Sequence, residues 1–222
     1  MSSTRLPGKV MHPINGVPMI DWQIQRILKA PEIYKVIVAT SLDASDDPLA
    51  DHLASKNIEF YRGSLPDVFS RFKSIIETVK DCDTFLRLTA DCPLTMPNLI
   101  SEMLGIFWLS NYDYFSNCKY PTFPDGLDIE IFSRNAFEKL SGFSLDERDL
   151  EHVTIKFRET QGEFFSGEFS NSVDLSSMRW TVDYPEDFRF VSSVFNNFQG
   201  KELEISMEDI LNFTSSDSDS LN

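Results

Sequence analysis

Apolar runs and apolar stripes take turns along this chain. The β-branched run at 35–40, with Val36, Ile37 and Val38 in succession, predicts a parallel-type strand buried on both faces. A helix precedes it over 20–30, closed by Pro31, and the stretch before that, with His12, Pro13, Asn15, Gly16 and Pro18, reads as turns. After a polar link at 43–47 the pattern predicts a helix over 48–56, a short strand over 58–61 and a turn at Arg62, Gly63 and Ser64. Val68, Phe69, Phe72, Ile75, Ile76 and Val79 recur at helical spacing, so 66–79 is a third helix. The next run, Leu86-Arg87-Leu88-Thr89-Ala90-Asp91-Cys92-Pro93-Leu94, begins as a buried strand and stops where proline ends the ladder. Strands and helices in alternation imply an α/β fold, a doubly wound and mostly parallel sheet with helices on both faces.

The second half continues with a helix over 96–110, a strand over 113–117 and a loop over 118–125. Residues 126–132 alternate with period two: Leu127, Ile129 and Ile131 project to one face, Asp128 and Glu130 to the other. A polar cavity and an ordinary half-exposed strand account for that pattern equally well. Ser133 caps a helix to about residue 140, and 145–159 is predicted as one helix carrying Glu151 and His152, where a lone histidine is more often structural than a ligand. Residues 163–169 are strand-like, 179–183 is a strand ending in Asp183, and helices follow over 185–198 and from Ser206. Without an internal repeat or a linker, residues 1–213 read as one domain and the Ser/Asp-rich 214–222 as a disordered tail.

Charge and composition narrow the function. Lys and Arg number 20 against 35 Asp and Glu, a net charge of −15, which argues against a nucleic-acid partner but not against a nucleotide ligand. The three cysteines, Cys82, Cys92 and Cys118, have no metal-binding spacing and suit the reduced thiols of a cytoplasmic protein. No apolar run has the length of a membrane span, and no signal peptide is recognisable.

Three local signals point to one chemistry. Asp91 follows a strand at the rim of an open α/β sheet, where ligands bind, and a carboxylate there suits Mg²⁺ shared with substrate phosphates. A loop carboxylate capping the next helix fits that position as well. Asp183 ends a second strand in the same way, each aspartate being closely followed by a proline. The opening loop holds Arg5, Gly8 and Lys9, groups able to wrap a phosphate chain, although a basic N-terminal tail would look the same. If the two strand ends share a rim, Asp91 and Asp183 hold one cation and the loop holds the phosphates.

Five segments, in this order, carry a resemblance: Ser3-Thr4-Arg5-Leu6-Pro7-Gly8-Lys9-Val10, the 86–94 run, Phe123-Pro124-Asp125-Gly126-Leu127-Asp128-Ile129-Glu130-Ile131-Phe132, Glu151-His152-Val153-Thr154, and Trp180-Thr181-Val182-Asp183-Tyr184-Pro185-Glu186-Asp187. Together they resemble the SpsF-like (spore coat polysaccharide biosynthesis) branch of the cytidylyltransferases, similar to acylneuraminate and deoxy-octulosonate cytidylyltransferases. The resemblance implies a nucleotide-diphospho-sugar transferase fold, CTP and a sugar acid as substrates, a CMP-sugar and pyrophosphate as products, and Mg²⁺ as cofactor. It gives Arg5, Lys9 and Asp91 the catalytic positions and makes Asp91 and Asp183 the metal ligands. Arg62, Gly63, Asp67 and Arg71 fall near the nucleotide, and Asp128, Glu130 and His152 in the sugar pocket. Family members also carry a hydrophobic first strand before the basic loop, central in the sheet between the strands at 35–40 and 86–89; this sequence departs from the pattern there and is expected to lack it. Two rivals follow: a glycosyltransferase of the same fold, disfavoured because Asp91-Cys92-Pro93 is not an Asp-x-Asp motif, and an inactive N-terminally truncated homologue. The loop at 120–126 and the helices beyond it offer a homodimer surface.

Overall fold

Asn15 and Gly16 both adopt left-handed backbone, with φ of 52° and 77°. That geometry closes a two-residue hairpin, here joining β1, Pro13–Ile14, to β2, Val17–Pro18, within the stretch expected to hold only turns. The computed structural model describes residues 5–160 and 162–219, so Ser3 and Thr4 of the first motif lie outside the described residues. α1, Met19–Ile27, follows and buries Met19, Ile20, Ile24 and Ile27. The helix also buries Arg26 completely. Its guanidinium donates to the carbonyls of Thr95 at 2.9 Å, Glu202 at 2.6 Å and Ile205 at 2.8 Å, so one side chain ties α1 to two distant loops.

The α/β alternation then runs as predicted: β3, Val38–Ser41; α2, Asp47–Ser55; β4, Phe60–Gly63; α3, Val68–Thr78; β5, Thr84–Arg87; and α4, Pro97–Ser110. β3 and β4 pair in parallel. β6, Tyr114–Ser116, and β7, Glu130–Ser133, follow, then α5, Arg134–Leu140; α6, Glu147–His152; α7, Ile155–Glu159; β8, Ser166–Glu168; α8, Pro185–Asn197; and α9, Met207–Asp219. The second sheet has the order β5-β7-β6-β8. β7 is inserted antiparallel to β5 and β6, which makes the sheet mixed, while β6 and β8 are parallel. The last helix takes in residues 214–219 of the segment whose composition reads as a tail; residues 220–222 lie outside the described residues.

Three expected elements differ, each for a local reason. The helix expected over 145–159 breaks into α6 and α7 because Val153 takes φ of 49°, and the kink turns the Thr154 hydroxyl inward to Glu130 at 2.6 Å. The strand expected over 126–132 starts only at Glu130. Before it the Asn117 side chain replaces the ladder, donating to the Leu127 carbonyl and accepting from the Ile129 amide, both at 2.8 Å. The segment 179–183 forms a single bridge from Arg179 to Asp125 instead of a strand, since the amides of Trp180 and Thr181 both donate to the Asp125 carbonyl. Asp183 therefore stands on a loop ahead of α8.

β3 and β5 share no ladder. Among the described residues each is the edge of its own sheet, and a largely apolar cavity of about 640 Å³ lies between them. Among the described residues, no helix is long and apolar enough to cross a membrane.

Candidate active site

The basic loop is shaped by Gly8, whose φ of 69° lets the chain turn directly into the 3-10 turn Lys9–Met11. The turn projects Lys9 across the end of β5, where its ammonium group bridges Asp91 Oδ2 at 2.9 Å and Asp183 Oδ1 at 2.8 Å. Arg5 reaches the same Asp183 oxygen at 3.1 Å, donates to the Tyr184 hydroxyl at 3.1 Å and lies over its ring. The loop that brings Asp183 to Asp91 is fixed by backbone contacts: the Val182 amide donates to the Asp91 carbonyl at 2.9 Å. Gly126 permits this approach, since a Cβ there would lie 2.5 Å from the Thr181 nitrogen and its φ is 109°.

Arg179 and Asp187 complete the cluster, and sequence reasoning missed both. Arg179 donates to Asp125, Asp183 and Asp187 at 3.0–3.1 Å, while Asp187 accepts the amides of Asp183 and Tyr184 at 2.8 Å each and so caps α8. The spacing from Arg179 to Asp183 and from Asp183 to Asp187 is the available signal, but it indicates contact only once 179–183 is not a strand. Burial pushes the carboxyls of Asp91 and Asp183 up. Hydrogen bonds from Thr89 and Lys9 to Asp91, and from Lys9 and Arg179 to Asp183, outweigh it and hold both below the ordinary range. Burial likewise lowers Lys9, and the two carboxylates more than reverse it.

A second polar centre stands on β7. Glu130 is buried and accepts from Arg87, from the Tyr114 hydroxyl at 2.6 Å and from Thr154, with Arg158 4.0 Å away. Burial raises its carboxyl, but Arg87 and the two hydroxyls prevail and leave it below the usual value. Asp128, beside it, is open to solvent on one side yet partly desolvated; that desolvation first, then the neighbouring charges of Asp125 and Glu130, push it up to about 6. The even spacing of Asp128 and Glu130 was legible in the sequence. The partners Tyr114, Thr154 and Arg158 were not, because they come from three other elements.

The remaining predicted residues are placed differently. Arg62 ties down the loop after β3 through the carbonyl of Ser41 at 2.8 Å and the carboxylate of Asp47 at 2.6 Å. Asp67 caps α3 by accepting from the Ser70 amide at 2.8 Å, and Arg71 is buried against the Ala39 carbonyl at 3.2 Å. Gly63 makes room for Arg71, whose Cγ would lie 2.7 Å from an added Cβ. The His152 side chain is exposed; the inward contact from its motif is made by Thr154.

The sequence model of the cytidylyltransferases, described as Cytidylyltransferase, matches residues 1–177. The chain belongs to the cytidylyltransferase family. The spore coat polysaccharide biosynthesis protein SpsF of Bacillus subtilis is 28% identical over 95% of this chain and 89% of its own length. A cytidylyltransferase structure from Leptospira borgpetersenii superposes with a TM-score of 0.90 at 28% identity, covering 99% of this chain and 92% of that one. A 3-deoxy-manno-octulosonate cytidylyltransferase of Bdellovibrio bacteriovorus is 30% identical over 47% of this chain and 41% of its own. The fold is that of the nucleotide-diphospho-sugar transferases, as the alternation of elements and the motifs implied. Within this cytidylyltransferase the cluster of Lys9, Asp91 and Asp183 occupies the end of β5 in the second, mixed sheet, at the rim of the α/β fold where ligands bind.

Proposed function

We propose that this cytidylyltransferase joins CTP to a sugar acid, giving a CMP-sugar and pyrophosphate for a surface polysaccharide. The observation that carries the reading is Lys9 held between two ionised aspartates, with Arg5 beside it at the end of β5. A hydroxyl oxygen of the sugar attacks the α-phosphorus in line. An O–P bond forms, the bond from the α-phosphorus to the bridging oxygen breaks, and pyrophosphate leaves. Lys9 and Arg5 offer charge to that leaving group, in a reaction governed by positioning and charge neutralisation. Asp128, with a carboxyl pushed up to about 6, suits the acceptance of the hydroxyl proton near neutral pH.

Among the described residues no set of three or more His, Cys, Asp and Glu forms a closed metal cage. Two ionised carboxylates fit Mg²⁺, which takes one or two protein carboxylates and completes its shell with water and substrate phosphates. Asp91 and Asp183 would hold it, and when bound it supplies Lewis acidity and charge neutralisation at the triphosphate. The sugar-acid class is supported by Arg158, whose Nε is buried with no hydrogen-bond partner among the described residues, and by the relative named for 3-deoxy-manno-octulosonate. The SpsF relative supports the polysaccharide role, and three free cysteines suit the cytoplasm.

Titration calorimetry with CTP and Mg²⁺ tests the nucleotide half of this reading. CTP is expected to bind and to lose on the order of tenfold or more in affinity in Lys9→Met, since charge-assisted contacts contribute about 1.5–3 kcal/mol. Equal affinity for CTP in both proteins would remove Lys9 from the triphosphate.

A further inference from the structure

Lys9 stands where a cation shared by Asp91 and Asp183 would have to stand. Its ammonium lies 2.9 Å from Asp91 Oδ2 and 2.8 Å from Asp183 Oδ1, and the side chain is only 13% exposed, so one NH₃⁺ group fills the space between the two carboxylates. Asp183 is engaged on both of its oxygens: Arg5 shares Oδ1 at 3.1 Å, and Arg179 donates to Oδ2 at 3.0 Å. Asp91 Oδ1 accepts from the Cys92 thiol at 3.4 Å. A divalent cation that ligates Asp91 and Asp183 together therefore meets an ammonium already in place, and carboxylate oxygens draw Mg²⁺ in more closely than they draw an ammonium. The two positive groups exclude each other.

The charge at the rim leads to the same exchange. Among the described residues, the carboxylates of Asp91, Asp125, Asp183 and Asp187 are paired with the cations of Arg5, Lys9 and Arg179. A divalent cation added to this set leaves an excess of positive charge, whereas one that replaces Lys9 balances it.

Of the three cations, Lys9 is the one built to leave. Arg179 is held by three carboxylates, one of them the cap of α8. Both ion pairs of Lys9 go to the two carboxylates in question, and its four-carbon stem is flexible. The turn that carries it has no side-chain cap at Gly8. An ammonium drawn off these carboxylates needs another anion, and a triphosphate arriving at the rim supplies one.

We propose that Lys9 is a placeholder for the divalent cation: its ammonium holds Asp91 and Asp183 together until the triphosphate of CTP draws it away, and the metal then takes the two oxygens it releases. The proposal rests on the assignment of Asp91 and Asp183 as the cation's ligands. Nucleotide and metal then bind with positive coupling, each improving the other's affinity by the same factor. One lysine opposes the metal and favours the nucleotide, so its removal moves the two affinities in opposite directions. A lysine that merely steadies the loop would not do this.

Mn²⁺ binding without nucleotide, read from the electron paramagnetic resonance of the free ion at fixed ionic strength, tests the exchange without reference to activity. Lys9→Met is expected to bind Mn²⁺ on the order of tenfold more tightly than the parent, and Lys9→Arg, which keeps the charge, to stay near the parent. The gain should vanish in the double variant Lys9→Met/Asp91→Asn. Lys9→Met no tighter than the parent would overturn the proposal. A gain that survives Asp91→Asn would overturn the ligand assignment, and the placeholder with it. The parent protein gives a second measurement: acetylation by an amine-reactive reagent, resolved by peptide mass spectrometry, should modify Lys9 several-fold faster in saturating Mg²⁺ than in NaCl of equal ionic strength. Equal rates would also overturn the exchange.

Discussion

Lys9 is the side chain on which the rim depends. Its ammonium bridges two carboxylates, and Lys9→Met leaves Asp91 and Asp183 facing each other without their shared cation. Turnover is expected to fall on the order of 100- to 1,000-fold in a pyrophosphate-release assay, the loss typical of a preorganised charge partner. The pH dependence has a definite sign. The two aspartates are depressed, so their contribution is present above the unfolded value near 4 and is lost as pH falls through their folded values; Lys9 is raised, so its contribution is lost only as pH rises through its own. The stability difference between the parent and Lys9→Met should shrink as the pH falls into acid and both aspartates take up protons. Asp128 has the opposite sign. Its folded value of about 6 lies above the unfolded one, so it takes stability away as pH rises from about 4 to 6, and Asp128→Asn should raise Tm at pH 7.5 and leave it unchanged near pH 3.5. Glu130→Gln leaves Arg87 without its carboxylate partner in a largely buried setting. About 3 kcal/mol of stability should be lost, read as a lower urea midpoint at constant m.

The elements show where a sequence is readable and where it is not. The helical stripe of α3 and the apolar runs of β3 and β5 announce themselves through side-chain periodicity, and each forms within a few residues of its expected place. Periodicity failed where a side chain replaced the ladder or the backbone departed from regular pairing. Asn117 substitutes for a ladder beside Leu127 and Ile129, Asp125 gathers the amides of Trp180 and Thr181, and Val153 accepts a left-handed backbone that splits one expected helix in two. These are long-range or strained arrangements, and no local pattern encodes them. The candidate site divides in the same way. Lys9, Asp91 and Asp183 were legible because each stands in a motif, whereas Arg179 and Thr154 depend on loops being folded first. Arg26 was unreadable as well, since an arginine on an apolar helix face normally reaches for solvent. Because it holds the carbonyls of Thr95, Glu202 and Ile205, Arg26→Met should cost about 3 kcal/mol or more by leaving buried carbonyls unpaired, and should speed amide exchange in α9.

Taken together, the molecule is an acidic α/β protein, net charge −15, in which Lys9, Asp91 and Asp183 collect at the end of β5 and a largely apolar cavity opens beside them. Much of the excess charge is solvated and self-repelling, so moderate NaCl should raise Tm modestly. Mg²⁺ at matched ionic strength should raise it further with CTP present, and Asp91→Asn should lose that extra increment if the two aspartates hold the cation. The family assignment rests on the match across residues 1–177, and the reaction on the charges around Asp91. Pyrophosphate release from CTP, Mg²⁺ and a panel of octulosonic and nonulosonic acids tests that reaction most directly. The account predicts release that needs both CTP and one of the acids and disappears in Asp91→Asn. Release that is indifferent to the acid, or that persists at full rate in Asp91→Asn, would contradict it.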